Sequence, residues 1–259
     1  IYENGKLFGD SLNNSNFSLT NNKIFSYPGY NEILTGNADS TINSNAKIYN
    51  KNITVLEKLN QTNNYKNKIA AFASWDVFPY IINDKRSGIP VNAGYMQEFN
   101  IKTPIVDYIN KNQIRTPVIW ENVRLDVYTH NLALEYIKKK RPKLVYIAYG
   151  ETDDFAHGGK YDFYINSLNY TDNMIAELWG YVQSNKFYKD NTYFIITTDH
   201  GRGLMEDWSG HGTSQASWLA ILGPNIEKTG LVEGEFFTNQ IAETIMQISK
   251  KSKTKIPTD

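Results

Sequence analysis

The chain reads as an α/β protein with a doubly wound, mostly parallel sheet sandwiched by helices. Three observations predict this. First, four short runs are apolar on both faces and end abruptly at polar residues: Lys68–Ala73 (KIAAFA), Lys143–Ala148 (KLVYIA), Thr192–Thr197 (TYFIIT) and Trp218–Leu222 (WLAIL). Such runs suit central strands covered by helices on both sides. Second, segments with three- and four-residue apolar spacing alternate with these runs, which implies strand–helix–strand units. Third, 259 residues of which 41% are hydrophobic are enough for one compact domain with a full core.

Taken in order, Glu3–Phe8 is polar and interrupted by Gly5, and no strand is expected there. Pro28 introduces a short helical stretch that begins just after Ser26. Thr54–Leu59 is a short helix ahead of the KIAAFA strand. From Trp75 to about Asp126 the periodicity is broken by Pro79, Gly88, Pro90, Gly94, Pro104 and Pro117. We expect residues 76–126 to form a small irregular cap inserted in a single hydrolase-sized domain spanning 1–259. Leu132–Lys140 is an amphipathic helix. The clearest helix carries Tyr161, Tyr164, Ile165, Leu168, Ile175, Leu178, Trp179 and Val182 on recurrent turns. Thr238–Ser249 is a helix that Thr238 can cap.

Composition narrows the chemistry. With 27 basic and 27 acidic side chains there is no electrostatic footprint for nucleic acid or an anionic membrane. No apolar run approaches the ~20 residues of a membrane helix. The absence of cysteine excludes disulfides, thiolate-ligated zinc, iron–sulfur clusters and a thiol nucleophile. A transition metal must then be held by His, Asp or Glu, which places weight on four histidines. The chain begins at Ile1 without a methionine, and we expect it to be a processed or excised portion of a longer product.

Ligands in a doubly wound fold bind at the carboxyl ends of strands, so the residues after each strand matter most. After KLVYIA come Tyr149-Gly150-Glu151-Thr152-Asp153-Asp154-Phe155-Ala156-His157. After TYFIIT come Thr198-Asp199-His200-Gly201, and Gly210-His211-Gly212 precedes WLAIL. Carboxylate and neutral imidazole are good zinc ligands, and an Asp–xxx–His spacing brings both to one ion if the chain turns once. Adjacent Asp199 and His200 can serve one metal or straddle two. Gly210 and Gly212 are expected to let the backbone around His211 approach a crowded site. His130 has no carboxylate beside it in the sequence and is read as structural.

Upstream, Phe25-Ser26-Tyr27-Pro28-Gly29-Tyr30-Asn31-Glu32-Ile33-Leu34-Thr35-Gly36 places Ser26 at a helix amino terminus. Backbone N–H groups and the helix dipole there favour a phosphate or sulfate. Ser26 is either a nucleophile activated by a metal or merely an N-cap.

In this order, Ser26-x-Pro28, Asp153-xxx-His157, Asp199-His200 and Gly210-His211-Gly212 resemble the motifs of the alkaline phosphatase superfamily, closest to its nucleotide pyrophosphatase/phosphodiesterase and phosphonoacetate hydrolase branch. The resemblance runs from Phe25 to Gly223. It implies an alkaline phosphatase-like fold and hydrolysis of small phosphate esters, diesters or monoesters, with Ser26 as nucleophile. It implies two divalent metal ions, zinc first and manganese or magnesium as substitutes. One would be held by Asp153, His157 and His211, the other by Asp199, His200, the Ser26 oxygen and a further aspartate. In the family that aspartate ends a strand well before the nucleophile. Asp10 lies too close to Ser26, so we expect the strand and its aspartate to lie upstream of Ile1. Asn31 and Asn45 are candidate donors to a nonbridging phosphate oxygen, and Trp75, Asp76 and Phe78 candidates for the leaving-group pocket. Superfamily habit and the lack of cysteine point to a periplasmic or secreted location. The rivals are a sulfatase-like hydrolase, disfavoured because Tyr30 stands where those enzymes carry arginine, a phosphomutase, and a noncatalytic binding protein stabilised by metal.

Overall fold

The computed structural model describes residues 3–98, 100–213 and 215–251. Its elements are β1 (Gly5–Phe8), β2 (Ser15–Ser18), α1 (Ser26–Thr35), α2 (Val55–Asn60), β3 (Ile69–Ala73), α3 (Phe78–Ile82), α4 (Asp84–Ser87), β4 (Val91–Ala93) and α5 (Pro104–Asn112). There follow α6 (Asp126–Lys140), β5 (Leu144–Ala148), α7 (Glu151–His157), α8 (Tyr161–Ser184), β6 (Phe194–Thr197), β7 (Leu219–Leu222), β8 (Gly230–Leu231), β9 (Gly234–Phe237) and α9 (Gln240–Lys251). The fold is α/β. Among the described residues, four strand pairings are parallel and two antiparallel, so the sheets are mostly parallel; β3 and β5 pair in parallel as their apolar runs predict, whereas β6 and β7 pair antiparallel. All four of those runs are strands.

The chain divides into two compact units, one from the residues up to Asn45 with those from Tyr181 onward, the other Ala46–Gly180. In the first, a four-stranded sheet has the order β6-β7-β1-β8, with β2-β9 as a separate pair. Strand β1 corrects the expectation for Glu3–Phe8. It lies between β7 and β8, with Gly5 opposite Leu222 and Phe8 opposite Leu219. Gly5 does not break the strand: a Cβ there would stand 2.4 Å from the Ile221 carbonyl oxygen, so only glycine permits this approach. Lys6 turns its ammonium to Glu227 at 3.0 Å. The polar side chain is thus compatible with a strand whose backbone is paired on both sides.

In the second unit, a parallel sheet of order β4-β3-β5 has β3 at its centre, and every residue of β3 is buried. Ala70 and Phe72 pack with Leu132, Ala133 and Tyr136 of α6 and with Ile101, Val106 and Ile109. Residues 76–126 therefore supply the strand β4, the helices α3, α4 and α5 and buried core side chains such as Phe78, Ile81, Ile101, Val106 and Ile109, with proline- and glycine-bearing turns between them. Helix α2 starts on Thr54, whose hydroxyl accepts from Glu57 N. Helix α6 begins six residues before the expected Leu132 and is buried on most of its surface, which corrects the amphipathic reading. Helix α9 begins at Gln240; just before it, the Thr238 hydroxyl donates to Glu32 Oε1 at 2.5 Å and the Thr238 carbonyl accepts from Ile241 N at 3.1 Å.

Candidate metal centre

Ser26 is the first residue of α1, and Phe25 is the N-cap. The capping reading of Ser26 is thereby removed, and its Oγ instead stands 3.4 Å from His200 Nε2. Three features hold the helix in this position. Tyr27 N donates to Asn45 Oδ1 at 2.9 Å. Gly29 passes so close to the end of β6 that a Cβ would lie 2.1 Å from the Asp199 carbonyl oxygen. Glu32, fully buried, accepts from Thr20 N and Oγ1, Asn21 N and Nδ2, and Thr238 Oγ1, all between 2.5 and 2.9 Å. Five donors compensate the burial of one carboxylate without a cation among them.

The antiparallel β6–β7 pair explains why His200, with Asp199 beside it, meets His211. Thr197 ends β6 opposite Leu219, which begins β7, so the connecting residues leave and return at one end of the ladder. The neck of the connection is laced by Thr197 Oγ1 donating to Trp218 O at 2.6 Å and Ser217 Oγ donating to Thr198 O at 3.0 Å. Farther out, Gly203 N donates to Gly210 O, and Arg202 Nη1 to Ser209 O. Gly212 is required: its φ is +60° and a Cβ would lie 2.8 Å from Gly203 Cα. Gly210 is not required by crowding, since the nearest atom to its Cβ would be 3.7 Å away.

Within this loop His200 is buried and its ring centroid is 4.0 Å from that of His211, with one ring nitrogen of each within 4.8 Å of the other. His200 Nδ1 is 2.9 Å from the Gly201 carbonyl oxygen, which can only accept, so Nδ1 carries a proton. In the neutral ring Nε2 then presents a lone pair toward Asp199 Oδ2 and Ser26 Oγ, each 3.4 Å away. Oxygen and nitrogen acceptors facing one another at that separation can be bridged by a proton or by a cation. This donor set, with a backbone carbonyl fixing the histidine tautomer, fits a divalent metal.

In the second unit, Asp153 and His157 lie one turn apart on α7, on one face, with His157 Nε2 3.3 Å from Asp153 Oδ2. Phe155 anchors the helix through an edge contact with Trp120, centroids 4.7 Å apart, and a stack on Phe163 at 5.2 Å. The helix start is held by α6. Asp126 Oδ1 accepts from Gly150 N at 2.8 Å and Oδ2 from Glu151 N at 3.0 Å, while Asp126 N donates to Glu151 Oε1 at 2.7 Å. Ser74 Oγ, just past β3, donates to Asp126 Oδ1 at 2.5 Å. Burial, then the neighbouring Glu151, pushes the Asp126 carboxyl up to about 7. Arg124, also fully buried, donates to Thr129 Oγ1 and Asn92 Oδ1, and burial draws its guanidinium down to about 9.

The remaining predicted residues are placed as follows. Asn31 is fully buried, and its amide donates to Asn37 O at 2.9 Å. Asn45 is exposed and caps the Tyr27 N–H. Trp75 is half-buried, edge-on to Phe78 at 6.4 Å, and Asp76 pairs with Lys47 at 2.6 Å. His130 is buried and held by partners remote in sequence: Nε2 is 3.0 Å from Glu177 Oε2 and Nδ1 2.9 Å from Tyr149 Oη. Sequence reasoning missed Gly29, Glu32 and Asp126. Only Gly29 had a usable signal, a glycine in the first turn of a helix where propensity disfavours it.

The fold is alkaline phosphatase-like. The chain belongs to the Metalloenzyme superfamily, whose family profile matches residues 26–251. Among solved structures, the lipoteichoic acid synthase LtaP from Listeria monocytogenes is 15% identical with a TM-score of 0.65, over 95% of this chain and 63% of that one. A protein in the alkaline phosphatase superfamily from Vibrio parahaemolyticus is 12% identical with a TM-score of 0.60, over 95% and 58%. The alkaline phosphatase of the Antarctic bacterium TAB5 is 16% identical with a TM-score of 0.55, over 95% and 88%, and a mutant of it is known with Mg bound. The chain thus spans about three fifths of the first two of these proteins. No curated protein sequence matches it. Membership supports a metal-dependent ester hydrolase or transferase that uses a divalent cation.

Proposed function

We propose that the protein hydrolyses small phosphate esters, diesters or monoesters, with Ser26 as nucleophile and Asp153, His157, Asp199, His200 and His211 as ligands of two divalent cations, zinc first. The observation that carries this reading is the convergence of Ser26 Oγ, His200 Nε2 and Asp199 Oδ2 at 3.4 Å, with Nδ1 of the same ring committed to a carbonyl. A binding protein merely stabilised by metal has no need of a serine hydroxyl in that position. The bound cations would supply charge stabilisation of the attacking, leaving and nonbridging oxygens. Ser26 Oγ gives its proton to solvent and forms a bond to phosphorus as the bond from phosphorus to the ester oxygen breaks on the opposite side, its electron pair leaving with that oxygen, which solvent then protonates, giving phosphoserine and the free alcohol. Water then attacks that phosphorus and the P–Oγ bond breaks, returning Ser26. The amino terminus of α1 lies beneath the transferred phosphoryl group in this reading, and its N–H dipoles complement the added negative charge. Asn45 and Trp75 are proposed to border the substrate, through the nonbridging oxygen and the leaving group respectively.

The test is a panel of bis-p-nitrophenyl phosphate, p-nitrophenyl phosphate and p-nitrophenyl sulfate with added Zn2+, Mn2+ or Mg2+. Phosphate-ester turnover that Ser26→Ala abolishes, with metal content retained, is the expected result. Preference for the sulfate ester, or turnover indifferent to Ser26→Ala, overturns the reading. His157→Ala should lower the amount of metal bound.

A further inference from the structure

Asp126 is neither a metal ligand in the proposed reading nor exposed, yet its carboxylate accepts three hydrogen bonds. It is the first residue of α6, and Glu151 is the first residue of α7. Each carboxylate accepts the backbone N–H of the other: Asp126 N on Glu151 Oε1, Glu151 N on Asp126 Oδ2. Two helix amino termini, whose first N–H groups have no intrahelical acceptor, therefore cap one another. Asp126 adds Gly150 N, the N-cap residue of α7, so it holds two consecutive amides of the turn that leads into Asp153 and His157. Its own carboxylate is fixed from behind by Ser74 Oγ, which also meets Thr129 Oγ1 at 2.7 Å. One turn farther along α6, His130 holds Tyr149 Oη. The first turns of α6 thus grip Tyr149, Gly150 and Glu151 in succession.

We propose that Asp126 is a positioning residue for the metal-binding helix: by capping α7 reciprocally with Glu151 it sets the rotation and tilt at which Asp153 and His157 are presented. The inference rests on the reading that these two residues ligate the metal. A seven-residue helix gains little stability from its own hydrogen bonds, so its orientation depends on what grips its ends. Ligand orientation set from outside the ligand shell commonly accounts for about 10- to 100-fold in metal affinity.

Asp126→Asn keeps size and shape but leaves only one carbonyl oxygen to serve Ser74, Gly150 and Glu151. Zn2+ affinity of the folded protein, measured by competition with a chromophoric chelator, should fall about 10-fold or more. Amide hydrogen exchange at Gly150 and Glu151 should accelerate without metal present. If Asp126→Asn does not fold, Ser74→Ala removes a single hydrogen bond to the carboxylate, and a loss of roughly 3-fold is expected. A variant that lowers the denaturation midpoint while leaving Zn2+ affinity and the exchange of these amides at wild-type values overturns the proposal. His157→Ala separates the two levels. If it leaves Zn2+ affinity unchanged, the ligand assignment itself fails. If it weakens binding while Asp126→Asn does not, only the positioning role fails.

Discussion

At the scale of single residues, the placement of Ser26 rests on two neighbours in its helix. Gly29 has the Asp199 carbonyl oxygen where a side chain would begin, 2.1 Å from a Cβ. A backbone carbonyl cannot yield as the end of a flexible side chain can, so Gly29→Ala must move α1 away from the end of β6. We expect a destabilisation of about 1–3 kcal/mol, as for other overpacking changes, despite the better helix propensity of alanine. Turnover should fall far more than stability, and the two are separated by measuring kcat and the denaturation midpoint on the same preparation. Glu32→Ala acts differently. It leaves the N–H groups of Thr20 and Asn21 and the hydroxyl of Thr238 without their acceptor, and should cost roughly 3 kcal/mol or more. The motif residues were legible because aspartate and histidine beside glycine at strand ends have few other uses. Glu32 was not, because its partners lie 11 and 12 residues upstream and 206 downstream, and nothing in a local window connects them.

At the scale of elements, α6 shows what periodicity conveys and what it hides. A helix at Leu132–Lys140 is readable from its apolar spacing, whereas its first six residues carry Asp126, Thr129 and His130 as buried polar groups that mask the pattern. Their burial is satisfied by contacts to Ser74, Gly150, Tyr149 and Glu177, all remote in sequence. Burial lowers the proton affinity of His130 despite Glu177. The unfolded chain therefore takes up a proton near the ordinary imidazole value of about 6.5 while the folded chain resists it. The contribution is complete above that pH and is lost as pH falls through it. Urea midpoints compared between about pH 7.5 and 5.5 should decline more steeply for the wild type than for His130→Gln. Strand β1 was illegible for another reason: its glycine is selected by the closeness of a neighbouring backbone, which composition reads as a break.

At the scale of the whole molecule, the α/β class follows from the buried runs and stands in the fold. The division into two units has no counterpart in the sequence. One of its boundaries, between Gly180 and Tyr181, falls inside α8, where helical spacing continues without a linker. A metal that binds only the folded chain should stabilise it by about 2.7 kcal/mol at a free concentration 100-fold above its Kd. Thermal midpoints with Zn2+ and with excess chelator should differ accordingly. Ser26→Ala is expected to retain most of that difference and His157→Ala to lose much of it.

The β6–β7 connection carries a consequence for how this molecule tolerates change. Its two ends are pinned by the ladder and by the Thr197 and Ser217 hydroxyls, and Asp199 and His200 sit beside the first of them. Its tip, Leu204-Met205, is 79% and 90% exposed. The entropy of closing a loop grows only logarithmically, about 0.6 kcal/mol for each doubling of length. Extra residues inserted between Leu204 and Met205 therefore interrupt one turn bond, from Asp207 N to Leu204 O, while Asp199 and His200 keep their anchorage. Diversity in this stretch is thermodynamically cheap, and a library placed there would vary the rim of the site without rebuilding its floor.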